Sequence, residues 1–96
     1  MSDTTCDLPM PELRLEFHED PGHGWLKVAR STIKRLGLCS QISNFSYQDG
    51  CYAYLEEDCD AAVLANALKE AGIKVVFEFI TTDSDSQIRS MTRFRA

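Results

Sequence analysis

Apolar and polar residues alternate along two stretches of the chain, which is the period of a half-buried β-strand. Leu13, Leu15 and Phe17 alternate with polar residues, and residues 25–28 form a second short run. The segment between these runs is rich in turn-forming residues, so the two runs predict a hairpin. Residues 73–80 alternate again and predict a last strand.

Asp49 and Gly50 lie between two runs rich in β-forming residues and predict a second hairpin. This dipeptide suits a two-residue type I′ turn, because both residues tolerate positive φ. Such a turn pairs Gln48 with Cys51. It also places four aromatic side chains on one face of the sheet, namely Phe45, Tyr47, Tyr52 and Tyr54.

Two helices are predicted from the spacing of the remaining apolar residues. The first is short and covers residues 30–36, before a glycine suited to a helix C-terminus. In the second, Leu64, Leu68 and Ala71 lie at i, i+4 and i+7 on one face, and Asp58 or Asp60 is placed to cap its N-terminus.

The predicted element order is therefore ββαββαβ. This order indicates an α+β fold in which two helices pack on a mostly antiparallel sheet. A chain of 96 residues is long enough for one small domain, which we expect to span residues 1–96. Within it, residues 1–11 read as a loose N-terminal arm, and residues 84–96 form a tail whose pattern is ambiguous between helix and strand.

The charges exclude several classes of function. The net charge is −5, from 15 acidic and 10 basic residues, so the average field repels phosphate backbones and anionic membranes. Direct nucleic-acid binding and membrane binding are not expected. The charges also occur in blocks: residues 25–48 carry four basic residues and no acidic one, whereas residues 49–60 carry five acidic residues and no basic one.

The cysteines and the N-terminus indicate a compartment. The four cysteines have no CxxC spacing, which argues against a structural zinc site. The N-terminal residues are acidic and lack the apolar run of a signal peptide, so we expect a cytoplasmic protein with reduced thiols. No cofactor is expected. The cysteines are Cys6, Cys39, Cys51 and Cys59.

A run of carboxylates precedes and begins the second helix. Helix capping and the helix dipole account for Asp58 and Asp60, whereas Glu56 and Glu57 come before the cap and predict an acidic patch for a basic partner surface. The predicted partner-binding residues are Glu56, Glu57, Asp58 and Asp60, with Asp20 and Asp49 in support.

Residues 18–23 bring two imidazoles and two carboxylates close together in sequence. A metal or enzyme site built on His18, Asp20 and His23 is one interpretation, and a structural turn is the other. Cys59 is disfavoured as a nucleophile because the surrounding carboxylates oppose its ionisation. The chain has no GxGxxG, P-loop, GxSxG or HExxH pattern, and we do not expect an enzyme.

Three segments resemble a family of small proteins encoded in bacterial phages, prophages and plasmids. The shared patterns are an HDPGHGWL-like turn in residues 18–28, an SxxSY-like strand in residues 42–47 and a YLEEDCDA-like helix start in residues 54–61. The resemblance covers most of residues 15–80 and carries over no functional residues. It implies accessory work for a mobile element, and small acidic proteins of that origin often resemble inhibitors of host defence, including anti-CRISPR proteins.

The first functional hypothesis is therefore a non-enzymatic binding protein that inhibits a host defence complex. Its acidic residues would occupy a Lys/Arg-rich surface of a host protein or ribonucleoprotein in the bacterial cytoplasm. One alternative is the metal protein or enzyme built on His18, Asp20 and His23. Another is a structural or regulatory homodimer, joined through strand edges or the aromatic hairpin.

Overall fold

The computed structural model describes residues 12–95, and these residues form a six-stranded sheet with chain packed on both faces. The predicted N-terminal arm, residues 1–11, lies outside the described residues. The strands are β1 (Glu12–Glu19), β2 (Gly24–Ala29), β3 (Tyr47–Asp49), β4 (Tyr52–Glu56), β5 (Lys74–Thr81) and β6 (Thr92–Arg93), and they lie in the order β5-β1-β2-β4-β3-β6. The helices are α1 (Arg30–Arg35) and α2 (Asp60–Glu70), and short 3-10 turns lie at Cys39–Gln41 and Gln87–Ser90.

The predicted fold class, two helices packed on a mostly antiparallel sheet in the order ββαββαβ, is wrong. The sheet is mixed, because β5 runs parallel to β1 along its whole length. Within residues 12–95 only α2 is a helix of several turns, since α1 has six residues. Alternating apolar and polar residues along a strand indicate that one of its faces is buried, but they do not indicate which strand it will pair with. Here α2 connects β4 to β5 across the sheet, and β5 runs in the same direction as β4, as expected for two strands joined by a helical connection.

The larger core layer lies between α2 and one face of the sheet. Leu64 and Leu68 on α2 are fully buried against Leu26 and Leu55 of the central strands, as predicted. The third residue of the predicted apolar stripe, Ala71, is instead exposed at the C-cap of the helix. Burial of such leucines is the main stabilising term in a domain of this size. The layer comprises Leu15, Leu26, Val28, Ile33, Leu38, Ile42, Ala53, Leu55, Leu64, Leu68 and Phe94.

The second hairpin forms, but its pairing is shifted by two residues. Asp49 lies opposite Tyr52, so Gly50 and Cys51 make the turn, and the predicted pairing of Gln48 with Cys51 is wrong. Gly50 has φ of 60°, and no residue other than glycine in the described chain has positive φ. A turn with positive φ only at its first central position is of the II′ kind, which requires glycine there and lets Asp49 stay in the strand.

A shift of two residues leaves the faces of the strands unchanged. Tyr47 lies directly opposite Tyr54, and Tyr52 follows on the same face. Phe45, which was predicted to join them, precedes β3 and is 60% exposed. Tyr47 and Tyr54 are buried, and the sheet face that they share with Trp25 holds a second, smaller core.

The C-terminal segment covers this second core. Ile88, in the 3-10 turn, is buried against Trp25, Tyr47 and Tyr54. Beyond it β6 pairs with β3, and the Phe94 N–H donates to the Ser46 carbonyl at 2.8 Å. The segment whose pattern left helix and strand open thus contains a turn of helix followed by a short strand.

Within residues 12–95, no helix has the length and apolar character that a bilayer-spanning helix requires.

The packing of Ile88 yields a first prediction. Ile88→Ala should lower the free energy of unfolding by about 2–4 kcal/mol, because it removes a buried side chain from a core of only four buried residues and leaves a cavity. Urea denaturation followed by circular dichroism measures this change. Gln87→Ala, at the exposed neighbouring position, is the control and should change the free energy by less than about 0.5 kcal/mol. Equal effects of the two substitutions would show that the C-terminal segment does not pack on the sheet.

Candidate functional site

Residues from the segments 18–28, 42–47 and 54–61 meet around one cleft of about 410 Å³. Two of its lining residues come from residues 18–28, two from residues 42–47 and three from residues 54–61. The C-terminal segment contributes two arginines. We call this feature the motif cleft. Its lining residues are His23, Trp25, Phe45, Tyr47, Glu56, Asp58, Cys59, Arg89 and Arg93.

Stacked aromatic rings and guanidinium groups form one side of the motif cleft. The Trp25 and Tyr47 rings meet edge to face, with centroids 6.3 Å apart. The Arg89 guanidinium lies 5.4 Å from the Trp25 ring, and that of Arg93 lies 4.7 Å from the Tyr47 ring. Cations over aromatic faces are attracted by the ring quadrupole, so each arginine is held against the sheet.

The Trp25 indole is 2% exposed, and its Nε1–H group finds no acceptor among the described residues. A buried donor without an acceptor costs about 1–3 kcal/mol. Within the described chain, packing of its ring holds the Trp25 side chain in place, without a hydrogen bond from Nε1–H.

Asp20 anchors the C-terminal segment to the β1–β2 turn. Its side chain is fully buried and forms an ion pair with Arg89, whose Nε donates to Oδ2 at 2.6 Å and whose Nη2 donates to Oδ1 at 2.9 Å. The backbone N–H groups of Gly22, His23 and Ser86 donate to the same carboxylate. These bonds, from Arg89 first, hold the pKa of Asp20 far below its usual range although burial opposes the shift.

Asp60 forms a second buried carboxylate network. The Oγ of Ser43 donates to it at 2.7 Å and the Oγ of Ser46 at 2.5 Å, and the Ser46 Oγ in turn accepts the Glu56 N–H at 2.9 Å. The predicted capping role of Asp58 or Asp60 is not observed: Cys59 occupies the N-cap position, without a side-chain cap. Asp60 instead ties the start of α2 to the strand end that carries Glu56.

Three consecutive carboxylates, Glu56, Glu57 and Asp58, form what we call the acidic rim. Glu56 and Asp58 line the motif cleft, whereas Glu57 lines a separate pocket beside Phe17 and Phe79. Glu57 and Asp58 are exposed, and Glu56 is half-buried and accepts the Asp58 N–H at 3.1 Å. The ligand atoms of Glu56, Glu57 and the His23 imidazole all lie within 4.8 Å of one another. None of the acidic-rim residues forms an ion pair with another residue of the described chain.

The structure divides the six predicted partner-binding residues. It brings Glu56, Glu57 and Asp58 together at the surface. Asp20 and Asp60 are 8% and 2% exposed, and internal hydrogen bonds occupy their carboxylates, so they support the site without reaching a partner. Asp49 is exposed at the other end of the hairpin, about 13 Å along β4 from Glu56, because it lies opposite Tyr52.

The residues of the alternative metal site are not assembled. The His18 Nε2 is hydrogen-bonded to Glu16 at 2.9 Å, and Asp20 is engaged by Arg89. Among residues 12–95, the group of potential ligands that does converge is His23, Glu56 and Glu57. The sequence placed these residues in two separate segments, and only the antiparallel pairing of β2 with β4 brings them together.

Arg89 and Arg93 are the site residues that sequence reasoning did not identify. The signal was present as a basic tail after a long acidic stretch, but charge alone does not say which carboxylate a distant arginine will meet. The bond from Arg89 to Asp20 joins positions 69 residues apart.

The Cys59 thiol borders the acidic rim. Partial desolvation, followed by hydrogen bonding to Glu56 and the neighbouring negative charges, raises the pKa of Cys59 above its usual 9.0. The thiol therefore stays protonated near neutral pH and is a poor nucleophile. Cys39, Cys51 and Cys59 are free, whereas Cys6 lies outside the described residues.

Comparisons of this chain with protein-family models, with curated proteins and with solved structures find no match.

The buried Asp20 yields a prediction about pH. The folded-state pKa lies below the ordinary value of 3.8, so the carboxylate contributes stability above that value and loses it progressively as the pH falls further. Asp20→Asn should therefore unfold at lower urea concentration than the wild type at pH 7, and the difference should narrow between pH 4 and about pH 2.

Asp85→Asn is the matched control, because Asp85 also lies near Arg89, at 3.9 Å, but its side chain is 88% exposed. It should unfold like the wild type across the same pH range. A stability difference between wild type and Asp20→Asn that is constant from pH 7 to pH 2 would contradict the assignment.

Proposed function

We propose that this chain is a non-enzymatic binding protein of a phage or other mobile element, and that it inhibits a host defence complex by occupying a basic protein surface with its acidic rim. The partner is a protein or ribonucleoprotein of the bacterial cytoplasm that displays Lys and Arg side chains for phosphate. The origin and the class of target rest on the resemblance of the three motif segments. The contact surface rests on the geometry of the motif cleft.

The observation that carries the proposal is the concentration of unneutralised carboxylates on the acidic rim. Two carboxylate groups, those of Glu56 and Glu57, have oxygens within 4.8 Å of each other, and no ion pair offsets them in the described chain. Like charges this close repel, so they favour the approach of a cation. Lys or Arg side chains of a partner would supply it and would be steered to the rim from a distance.

Phe45 adds an apolar contact beside the acidic rim. Its ring is 60% exposed and lines the motif cleft together with Glu56 and Asp58. Aromatic residues, phenylalanine among them, are enriched in protein interfaces. An arginine of the partner can stack on the Phe45 ring while its guanidinium bonds to Asp58, which lines the same cleft.

Asp20 and Asp60 act in this proposal through the scaffold. Asp60 holds Ser43 and Ser46 against the start of α2, and Ser46 bonds to the backbone of Glu56. Asp20 fixes Arg89 beside Trp25. Both networks set the shape of the motif cleft before a partner arrives, which reduces the entropy lost on binding.

A charge reversal tests this proposal. Glu57→Lys combined with Asp58→Lys should preserve the circular dichroism spectrum, since both side chains are exposed. The wild type, immobilised and exposed to a bacterial lysate, should retain a partner that elutes with rising salt. The variant should retain it less, and with the purified partner it should show a slower and less salt-sensitive association rate.

Glu70→Lys combined with Asp83→Lys is the matched control, because it changes the net charge equally at exposed positions away from the cleft. This control should bind like the wild type. Equal loss in both double variants would show that overall charge and not the acidic rim is responsible, and unchanged binding in the Glu57/Asp58 variant would refute the proposal.

A second candidate function follows from the convergence of His23, Glu56 and Glu57. One imidazole and two carboxylates are ligands that zinc accepts in sites with an open coordination position. We propose it as the alternative to protein binding, and it replaces the set His18, Asp20 and His23 with residues whose ligand atoms lie within 4.8 Å.

Zinc titration of tag-free protein by isothermal calorimetry separates the two functions. A metal centre predicts about one zinc ion per chain, lost in His23→Ala and in Glu57→Gln. His18→Ala should bind zinc as the wild type does, because His18 is hydrogen-bonded to Glu16 instead. Absence of a saturable heat for the wild type would eliminate the metal alternative and leave the protein-binding proposal standing.

A further inference from the structure

Strand β5 forms one edge of the sheet and is long and apolar. Among residues 12–95 it has a strand neighbour, β1, on one side only. Phe77 and Phe79 are 43% and 64% exposed on its helix-side face, where the Phe79 ring contacts that of Phe17 with centroids 5.8 Å apart. Long apolar edge strands are templates for pairing with another strand, and folded proteins usually shorten, charge or cover them.

The opposite face of β5 carries two exposed charges four residues apart, Lys74 and Glu78. Glu78 lies directly opposite Glu16 on β1, and like charges in that position destabilise a sheet. Neither Lys74 nor Glu78 forms an ion pair with another described residue. A cation delivered from outside the sheet would therefore stabilise Glu78.

The backbone of β5 sets which groups are free to pair. The Thr82 N–H donates to the Glu19 carbonyl at 2.8 Å, so the N–H of this residue points toward β1. Successive N–H groups along a strand point to opposite edges. By this alternation the N–H and C=O groups of Val75, Phe77 and Phe79 point outward, where a further strand would accept and donate hydrogen bonds.

We propose that the outer edge of β5 binds a second copy of this chain, through antiparallel pairing of β5 with β5 across a two-fold axis at Val76. In this register Lys74 of each copy lies opposite Glu78 of the other, and Val75 lies opposite Phe77. One residue further out, Phe79 lies opposite Ile73. The two six-stranded sheets become one continuous sheet with the α2 helices on the same side.

The charges select this register over its neighbours. With the axis at Phe77, Lys74 faces Ile80 and Glu78 faces Val76, so both charges meet apolar side chains. With the axis at Glu78, two glutamates face each other. The axis at Val76 pairs opposite charges on one face and apolar side chains on the other, and each such cross-strand pair stabilises a sheet.

The homodimer stands apart from the function proposed above, because its residues are on β5 and the proposed contacts are at the motif cleft. It places two motif clefts on one particle, and loss of the dimer need not abolish binding of a partner by a single cleft.

Charge exchange between the two positions tests the proposal in the full chain, by sedimentation velocity across a concentration series. Lys74→Glu and Glu78→Lys each place like charges opposite one another and should weaken self-association by roughly tenfold or more. The double variant Lys74→Glu/Glu78→Lys should restore it. A one-to-one mixture of the two single variants should form heterodimers, because each then supplies what the other lacks.

Two further variants control for the surface used. Phe79→Ser should weaken the dimer, whereas Tyr52→Ser, at a 44% exposed ring away from β5, should not. Circular dichroism spectra like that of the wild type show that the variants fold. A wild type that stays monomeric up to about 1 mM, single charge variants that dimerise like the wild type, or a double variant that stays as weak as the single ones would each overturn the proposal.

Discussion

The ion pair between Asp20 and Arg89 is the interaction on which the rest of the described chain depends. A buried carboxylate is tolerated only when it is paired and hydrogen-bonded, and here Arg89 together with three backbone N–H groups satisfies it. The pair fastens the C-terminal segment to the β1–β2 turn. Through that attachment Ile88 closes the second core, Arg89 lies against Trp25, and the motif cleft acquires its far wall.

Local patterns predicted the elements better than their arrangement. The alternation around Leu15 and the Leu64–Leu68 spacing identified strands and a helix, because a half-buried element shows its period within its own sequence. The sequence pattern did not indicate which strand would pair with β5, because its parallel pairing with β1 joins positions 62 residues apart, as between Phe17 and Phe79. The predicted turn needed positive φ at both Asp49 and Gly50, but only Gly50 has it, and this difference sets the observed hairpin register.

The same division applies to the candidate site. The exposure of Glu57 and Asp58 could be predicted, because charged residues next to a helix start usually face solvent. The burial of Asp60 could not be predicted. Its carboxylate can either cap the helix or accept hydrogen bonds from Ser43 and Ser46, and the sequence is compatible with both. Asp60 bonds to Ser43 and Ser46 because the segment before β3 passes beside the start of α2. That path is set by tertiary packing and has no signal in the local sequence. The six carboxylates predicted to bind a partner thus divide into two that build the scaffold, Asp20 and Asp60, three in the acidic rim, and Asp49, which is exposed at the far end of the hairpin.

The position of the Asp20 partner has a consequence for the order of synthesis. Ile88 and Arg89 leave the ribosome after strands β1 to β5 and both helices, so the aromatic face around Trp25 has no cover until they emerge. Until then the nascent chain presents a partly formed sheet with an apolar face and an open edge, the condition in which chains aggregate or recruit chaperones. The native state is complete only when Arg89 reaches Asp20, 69 residues earlier in the chain. Nascent chains arrested before Arg89 emerges should therefore be more sensitive to protease than full-length chains.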